Sequence, residues 1–540
     1  MGIDYERIAS ENKINYGTDV ARYGRVLLAN LYSDRTHFLY ELLQNAEDAG
    51  AEKIAFHLFS ERLEVRHNGK PFNAEDVRAI CGLVEGTKAD DLTKIGRFGI
   101  GFKSVYAYTS APEIYSGEEV FCIENYVRPR CLSNSGLSSK DETLFVLPFN
   151  HDEISAEEAF QKIAGRLKNL GPRTLLFLKN LKEISWKIED KCEGLYLRET
   201  SSFLDVEGVR RVNILWEAGS ENGEEAWLLF ERPLPGYREN MPNGGTPKVE
   251  AAFSLGQQKG TKGKKIVPVD GAGLVVFFPT EKDTCLHFLI QGPYQTTPAR
   301  DNVPQDNKRN KKLIQETALL VTEALVQIKQ MGLLTADFLD VLPQKTDFPE
   351  KKGEMFRPIL EQVHEALQSK ALLPAVDGSH VPAGQALLAR TEALRSLLSP
   401  QDLADLSGIK GVRWLDGSIR IRDTGDARRR FILVHDDLGI SQWDPETLVT
   451  RLEQHLARNL TWLKSKSDKW MAQLYALLAD QKGLKSKLLT LPVLRLTDNQ
   501  HVTAKGGDGT YQAYLPPEKN DFPETVGAFP LVKPEVMRLP

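Results

Sequence analysis

Apolar residues recur at helical spacing through Phe38, Leu39, Leu42, Leu43, Ala46 and Ala49, which predicts an α-helix with one buried face. Glu41, Asn45 and Asp48 fall at i, i+4 and i+7 on the other side. The chain from about Tyr5 to Ala49 reads as mostly helical. Alternating patterns then predict strands at Lys53-Ile-Ala-Phe-His-Leu-Phe59 and Leu63-Glu-Val-Arg66, with Asn68-Gly69 as the turn that closes them into a hairpin. A helix is expected near Ala74–Leu83. Next comes a glycine-rich segment, Gly96-Arg97-Phe98-Gly99-Ile100-Gly101-Phe102-Lys103-Ser104, and the helix it opens. Further strands are expected at Glu113–Ser116, Glu119–Glu124, Leu144–Leu147, Thr174–Leu178 and Ile184–Ile188. Helices beside a mixed sheet predict an α+β fold, with a two-layer first domain ending near residue 195.

A second α+β segment is expected over residues 200–340, with strands at Ala226–Phe230, Gly273–Phe278 and Leu286–Ile290 and a long helix from about Asn310 to Met331. The polar, basic stretch Gln257–Lys265 reads better as a solvated hairpin tip than as a phosphate-binding tract. Residues 345–540 change character and read as a mixed α/β region. Within it, Leu372-Leu-Pro374-Ala-Val-Asp377-Gly-Ser-His380-Val resembles Leu491-Pro492-Val-Leu-Arg-Leu-Thr-Asp498-Asn-Gln-His501-Val. This reads as a two-copy repeat of a hairpin with flanking helices. The matched histidines read as turn-flanking residues that shape the hairpins. The chain reaches Pro540 soon after the second copy, so the natural protein is expected to continue.

A length of 540 residues implies three or four domains. A net charge of −5 argues against a dominant nucleic-acid-coating surface but leaves a local basic groove open. The five cysteines are widely spaced with no Cys-x-x-Cys pair, so neither a disulfide framework nor a zinc site is expected, and a reducing cytoplasm fits. No apolar run approaches the ~18 residues of a membrane span. The opening MGIDYE has Glu6 where a myristoylation motif has Ser or Thr.

Glu41, Asn45 and the glycine-rich segment together have the chemistry of a nucleotide site that is not a P-loop. Hydrolysis of a triphosphate needs a base for a water, a divalent cation on the phosphate oxygens, and donors for the developing charge. Glu41 can act as the base. Asn45, one turn on, can offer an amide oxygen to magnesium, which uses few protein ligands. Asp48 is on the same face, where it can position a neighbour or a water. A solvated helix could also carry these residues, but Gly96, Gly99 and Gly101 allow close backbone approach to phosphates. The segment is not a Walker A loop, because Phe102 separates Gly101 from Lys103-Ser104. It is not Gly-x-Gly-x-x-Gly, because Ser104 stands at the third glycine. Thr87 and Lys88, just upstream, are equally an ordinary loop pair and phosphate or lid contacts.

Glu41-Leu-Leu-Gln-Asn45-Ala-Glu-Asp48-Ala, a glycine turn and Ile95-Gly-Arg-Phe-Gly-Ile-Gly-Phe-Lys-Ser-Val-Tyr106 resemble the GHKL ATPases, which include the ninety-kilodalton heat-shock chaperones, MutL, type II gyrases and histidine kinases. Sacsin-like and heat-shock-chaperone-like domains are the nearest match, over roughly residues 20–185. The resemblance implies a Bergerat fold, with ATP and Mg2+ between a sheet and helices under a lid. It implies that Glu41 is the general base and Asn45 the magnesium ligand. It places Gly96, Gly99, Gly101 and Phe102, with the intervening Arg97, Phe98 and Ile100 and the adjoining Lys103, at the phosphate cradle and lid hinge. Thr143 matches a threonine that supports the adenine pocket. The family's Asp-x-Gly-x-Gly turn, whose Asp accepts a hydrogen bond from the adenine amino group, is here His67-Asn68-Gly69-Lys70-Pro71. Asn68 is the substitute acceptor and Gly69 keeps the turn. Phe288–Val303 resembles the catalytic-loop region of chaperone middle domains, which makes Arg300 the candidate cation for the γ-phosphate, ahead of Lys308 and Arg309.

The expected function is an ATP-driven conformational clamp, homodimeric on ATP binding. It would act on a protein client or as an effector in a phage-defence system. A DNA-acting clamp of the MutL or topoisomerase type is the first alternative, disfavoured by the acidic net charge. A nucleotide-sensing scaffold without turnover is the second, favoured by the altered adenine turn.

Overall fold

A computed structural model describes the chain except residues 1–2, 19, 21–34, 83–100, 134–138, 204–205, 207, 237–245, 258–262, 298–301, 350, 421–425, 480, 517–528 and 538–540. The protein is α+β and divides into two compact units, residues 1–324 with 346–360 and residues 325–345 with 361–540.

The first unit opens with helix α1 (Tyr5–Tyr16) and helix α2 (Phe38–Asp48). The hairpin of β1 (Lys53–Phe59) and β2 (Arg62–His67) follows, then α3 (Ala74–Cys81) and a 3-10 helix over Gly101–Ala107. Strands β3 (Glu113–Ser116), β4 (Glu119–Glu124), β5 (Arg128–Cys131) and β6 (Thr143–Pro148) precede α4 (Ala156–Lys168) and β7 (Glu183–Ile188). A run of long strands then contains β8 (Cys192–Ser202), β9 (Val209–Ala218), β10 (Glu221–Pro233) and β11 (Lys248–Gln257). The last strands are β12 (Lys264–Val267), β13 (Ala272–Val276), β14 (Phe278–Leu286) and β15 (Leu289–Gln291).

These 15 described strands form one mixed sheet, ordered β14-β13-β15-β11-β10-β9-β8-β7-β1-β2-β6-β3-β4-β5, with β12 paired to β11. The β1–β7 and β13–β15 pairs are parallel and the other described pairs antiparallel. Alternation sets the faces. Ile54, Phe56 and Leu58 of β1 are buried with Leu63 and Val65 of β2, beneath Leu39, Leu42 and Leu43 of α2 and Ile163 and Leu167 of α4. On the opposite face Tyr115, Leu144 and Val146 form a smaller cluster.

Some of the expectations need correction. The β1–β2 hairpin is closed between Phe59 and Arg62, which face each other, not at Asn68-Gly69. Asn68 lies at the open end, where its N–H donates to Lys53 O at 3.4 Å. Thr174–Leu178 is not a strand. Gly171 at φ +76° and Pro172 open a short 3-10 turn there, and the Thr174 hydroxyl donates to Leu170 O at 2.7 Å. All five side chains are buried, and such a run has no periodicity to separate strand from turn. Finally, Gly273–Phe278 is broken at Phe277 (φ +63°) between β13 and β14, and Leu286–Ile290 at His287-Phe288 between β14 and β15, after Cys285 at φ +58°.

Helix α5 (Lys308–Gln330) contains the boundary between the units. In the second unit Ala386–Ala389 is flanked in parallel by Arg413–Trp414 and Gln442–Trp443. The two expected hairpins share one register, Pro374 opposite His380 and Arg495 opposite His501. Their turns share a mechanism: Asp377 Oδ1 accepts from Ser379 N at 3.0 Å and Asp498 Oδ1 from Gln500 N at 2.9 Å. The residue after each Asp is left-handed, Gly378 at φ +79° and Asn499 at φ +66°. In this register Leu494-Arg495, not Leu491-Pro492, corresponds to Leu373-Pro374.

Candidate nucleotide-binding site

Helix α2 is buried nearly all round. Its apolar stripe lies in the core, and Glu41, Gln44 and Glu47 are also buried, at 6%, 2% and 5% exposure. One turn before Glu41, His37 brings Nε2 to 3.4 Å from Glu41 Oε1. On the far side lies Gly101, the first residue of the 3-10 helix. A Cβ at Gly101 would lie 2.9 Å from Glu41 Cδ and closer still to Oε2. A side chain there would force the Glu41 carboxylate to move, a constraint of space rather than of backbone angle.

Asn45 and Asp48 are half-buried. Among the described residues, none hydrogen-bonds the Asn45 amide. Glu47 has a different role. Its Oε1 accepts from Lys179 N at 2.7 Å and Asn180 N at 2.8 Å, and its Oε2 from Leu181 N at 2.8 Å. This carboxylate satisfies three successive backbone donors just before β7 and fixes α2 to the sheet.

Phe102 is buried with its ring 5.5 Å from that of Phe145. Thr143 is fully buried, and its hydroxyl lies 2.6 Å from that of Ser116. Lys103, expected at the phosphates, is 2% exposed and directs its ammonium inward to Ile80 O at 2.6 Å and to Tyr126 O. Burial lowers its pKa to about 8.

The altered turn is built around His67, opposite Thr143 in the β2–β6 pair. His67 continues the buried face of Leu63 and Val65. Burial lowers its pKa to about 4. Its Nδ1 accepts from Gly69 N at 3.1 Å, so the neutral ring carries its hydrogen on Nε2. Asn68 is exposed. Its side-chain oxygen accepts from Glu52 N and Lys53 N, both at 2.9 Å. That oxygen, read from the sequence as an adenine acceptor, here closes the open end of the hairpin. A Cβ on Gly69 would lie 2.9 Å from Ala49 Cβ, so glycine lets the turn pack against the end of α2.

Thr87, Lys88, Gly96, Arg97, Phe98, Gly99, Ile100 and Arg300 lie outside the described residues. The chain on either side of Arg300 is anchored. Thr297 N donates to Asn302 O at 2.9 Å. The buried Asn310 side chain bonds Gln295 N at 2.7 Å, Gln295 O at 2.9 Å and Pro304 O at 3.1 Å.

Sequence reading missed three residues. His37 carried a signal, a histidine one helical turn before a candidate base. His67 carried another, its place in the alternation Leu63, Val65, His67. Glu47 carried none, because its partners are more than 130 residues away.

Comparison with known proteins bears on this geometry. Residues 20–131 match the family model of the sacsin domain. The chain is similar to the protein NO VEIN of Arabidopsis thaliana, 26% identical over 492 aligned residues that cover 82% of this chain and 17% of the relative. It is 36% identical to sacsin of Homo sapiens over 223 aligned residues, 31% of this chain and 5% of that one. It is 34% identical to the chaperone protein HtpG of Treponema pallidum over 131 aligned residues, 18% of this chain and 20% of that one. The chain thus spans 17% of the length of the first relative and 5% of the second. No helix among the described residues is long and apolar enough to cross a membrane. Over its N-terminal region the chain is thus similar to the sacsin-like, heat-shock-chaperone-like group of the GHKL ATPases.

Proposed function

We propose that the N-terminal region binds ATP with magnesium and hydrolyses it, and that the cycle closes a conformational clamp as two copies dimerise through their N-terminal residues. The observation that carries this reading is the contact of the Glu41 carboxylate with Gly101, with the half-buried Asn45 amide one turn on. The residues fit a metal–nucleotide complex: the cradle at Gly101 has no side chain, and no described residue engages the Asn45 amide. In this reading Glu41 accepts a proton from the attacking water, with His37 Nε2 3.4 Å from its carboxylate. Asn45 offers its amide oxygen to magnesium. When bound, the ion neutralises charge on the phosphate oxygens. Arg300 is the proposed cation from the second segment, and remodelling of a client protein is the proposed task. Titration calorimetry with ATP tests the site. Binding should require magnesium and weaken at least tenfold in Asn45→Ala, about 1.4 kcal/mol. Equal affinity with and without magnesium would remove Asn45 from this role.

A second reading, a nucleotide-sensing scaffold without turnover, is favoured by His67. A buried, neutral ring with its hydrogen on Nε2 cannot accept from an adenine amino group as a carboxylate does.

A further inference from the structure

Lys103 is the buried charge that the proposed chemistry leaves unused. Its two described acceptors sit at a junction. Ile80 O is near the end of α3, where helix carbonyls lack intrahelical donors. Tyr126 O lies in the β4–β5 connection, where Asn125 and Tyr126 adopt left-handed φ of +51° and +66°. The Tyr126 ring stacks on Tyr106 at 4.1 Å, and Tyr106 donates to Ile123 O at 3.0 Å.

A second side chain bridges the same two segments one residue further along each. Asn12 of α1 is 9% exposed, and its Nδ2 donates to Cys81 O at 3.2 Å and Val127 O at 2.7 Å. The carbonyl pairs 80 with 126 and 81 with 127 are thus bridged in parallel by Lys103 and Asn12. Arg78 of α3 also meets Glu11 of α1 at 2.6 Å. Lys103 follows Gly101 by two residues on the same short helix, so whatever holds Lys103 also sets where Gly101 meets Glu41.

We propose that Lys103 and Asn12 form a double clamp that positions Gly101 against Glu41, so that α1 controls turnover without touching nucleotide. Lys103 is then a positioning residue and not a phosphate ligand. The inference rests on the ATPase reading for its kinetic consequence. Its structural consequence, the order of Gly101–Ala107, stands without it.

The experiment compares Lys103→Met, Asn12→Leu and the double variant. Each single variant should lower kcat about tenfold with KM changed less than about twofold, the signature of lost alignment. The double variant should be no worse than the more impaired single variant, because both act through one junction. A tenfold rise in KM at constant kcat in Lys103→Met would make Lys103 a phosphate ligand and overturn the proposal. So would unchanged kcat in Asn12→Leu, or effects that multiply. Amide hydrogen exchange over Gly101–Ala107 without nucleotide separates this proposal from the ATPase reading. Exchange should quicken in Asn12→Leu whether or not the native chain turns over ATP. Unchanged exchange there means the clamp does not hold the segment, even if turnover is confirmed.

Discussion

The backbone of Gly101 packs so closely on the carboxylate of Glu41 that a single methyl group cannot be placed between them. Gly101→Ala must therefore displace either the proposed base or the 3-10 helix. We expect a loss of stability of about 1–3 kcal/mol, the usual cost of overpacking. Turnover should fall more than stability alone explains. Urea denaturation gives the first quantity and turnover of the folded variant the second.

Glu47 should matter to folding as Glu41 matters to chemistry. Glu47→Ala would leave the N–H groups of Lys179, Asn180 and Leu181 without their acceptor. The expected cost is about 1–3 kcal/mol, since the buried Leu181 donor and two more accessible ones lose charge-assisted bonds. A urea midpoint within experimental error of the native chain would contradict this.

His67 makes stability fall in acid. Its folded pKa is depressed to about 4 from an ordinary 6.5, so the unfolded chain binds the proton more readily. The contribution is complete above pH 6.5 and is lost as pH falls towards 4, on the order of 3 kcal/mol in total. His501 is also depressed to about 4, by burial and then by the Arg495 and Lys464 cations, but it is only half-buried, so its slope in the second unit is smaller. Urea denaturation between pH 7 and 4 should show a shallower decline in His67→Gln than in the native chain.

Much of this was legible in the sequence because local patterns agreed with the fold. The stripe from Phe38 to Ala46 and the alternation of Lys53–Phe59 each have a single periodicity, and the helix and strand lie where those patterns end. The family resemblance was legible from two motifs. Side-chain direction was not. The glycine motif places Lys103 beside the phosphate cradle, but two backbone carbonyls far away in sequence draw it into the core. Asn68 was read as facing the base, yet its oxygen caps backbone N–H groups at Glu52 and Lys53. Such roles depend on which unsatisfied backbone groups tertiary packing brings near, and no periodicity encodes that. The hairpins at 373–381 and 494–502 show the reverse case, where Asp followed by Gly or Asn gave the turn directly.

The most direct test of the central claim is magnesium-dependent ATP turnover by the native chain and by Glu41→Ala, with ATP binding measured on both. The account predicts turnover in the native chain and a loss of at least about a hundredfold in Glu41→Ala, with binding retained. Equal turnover in the two proteins would contradict the assignment of Glu41, and a native chain that binds no ATP would contradict the function itself.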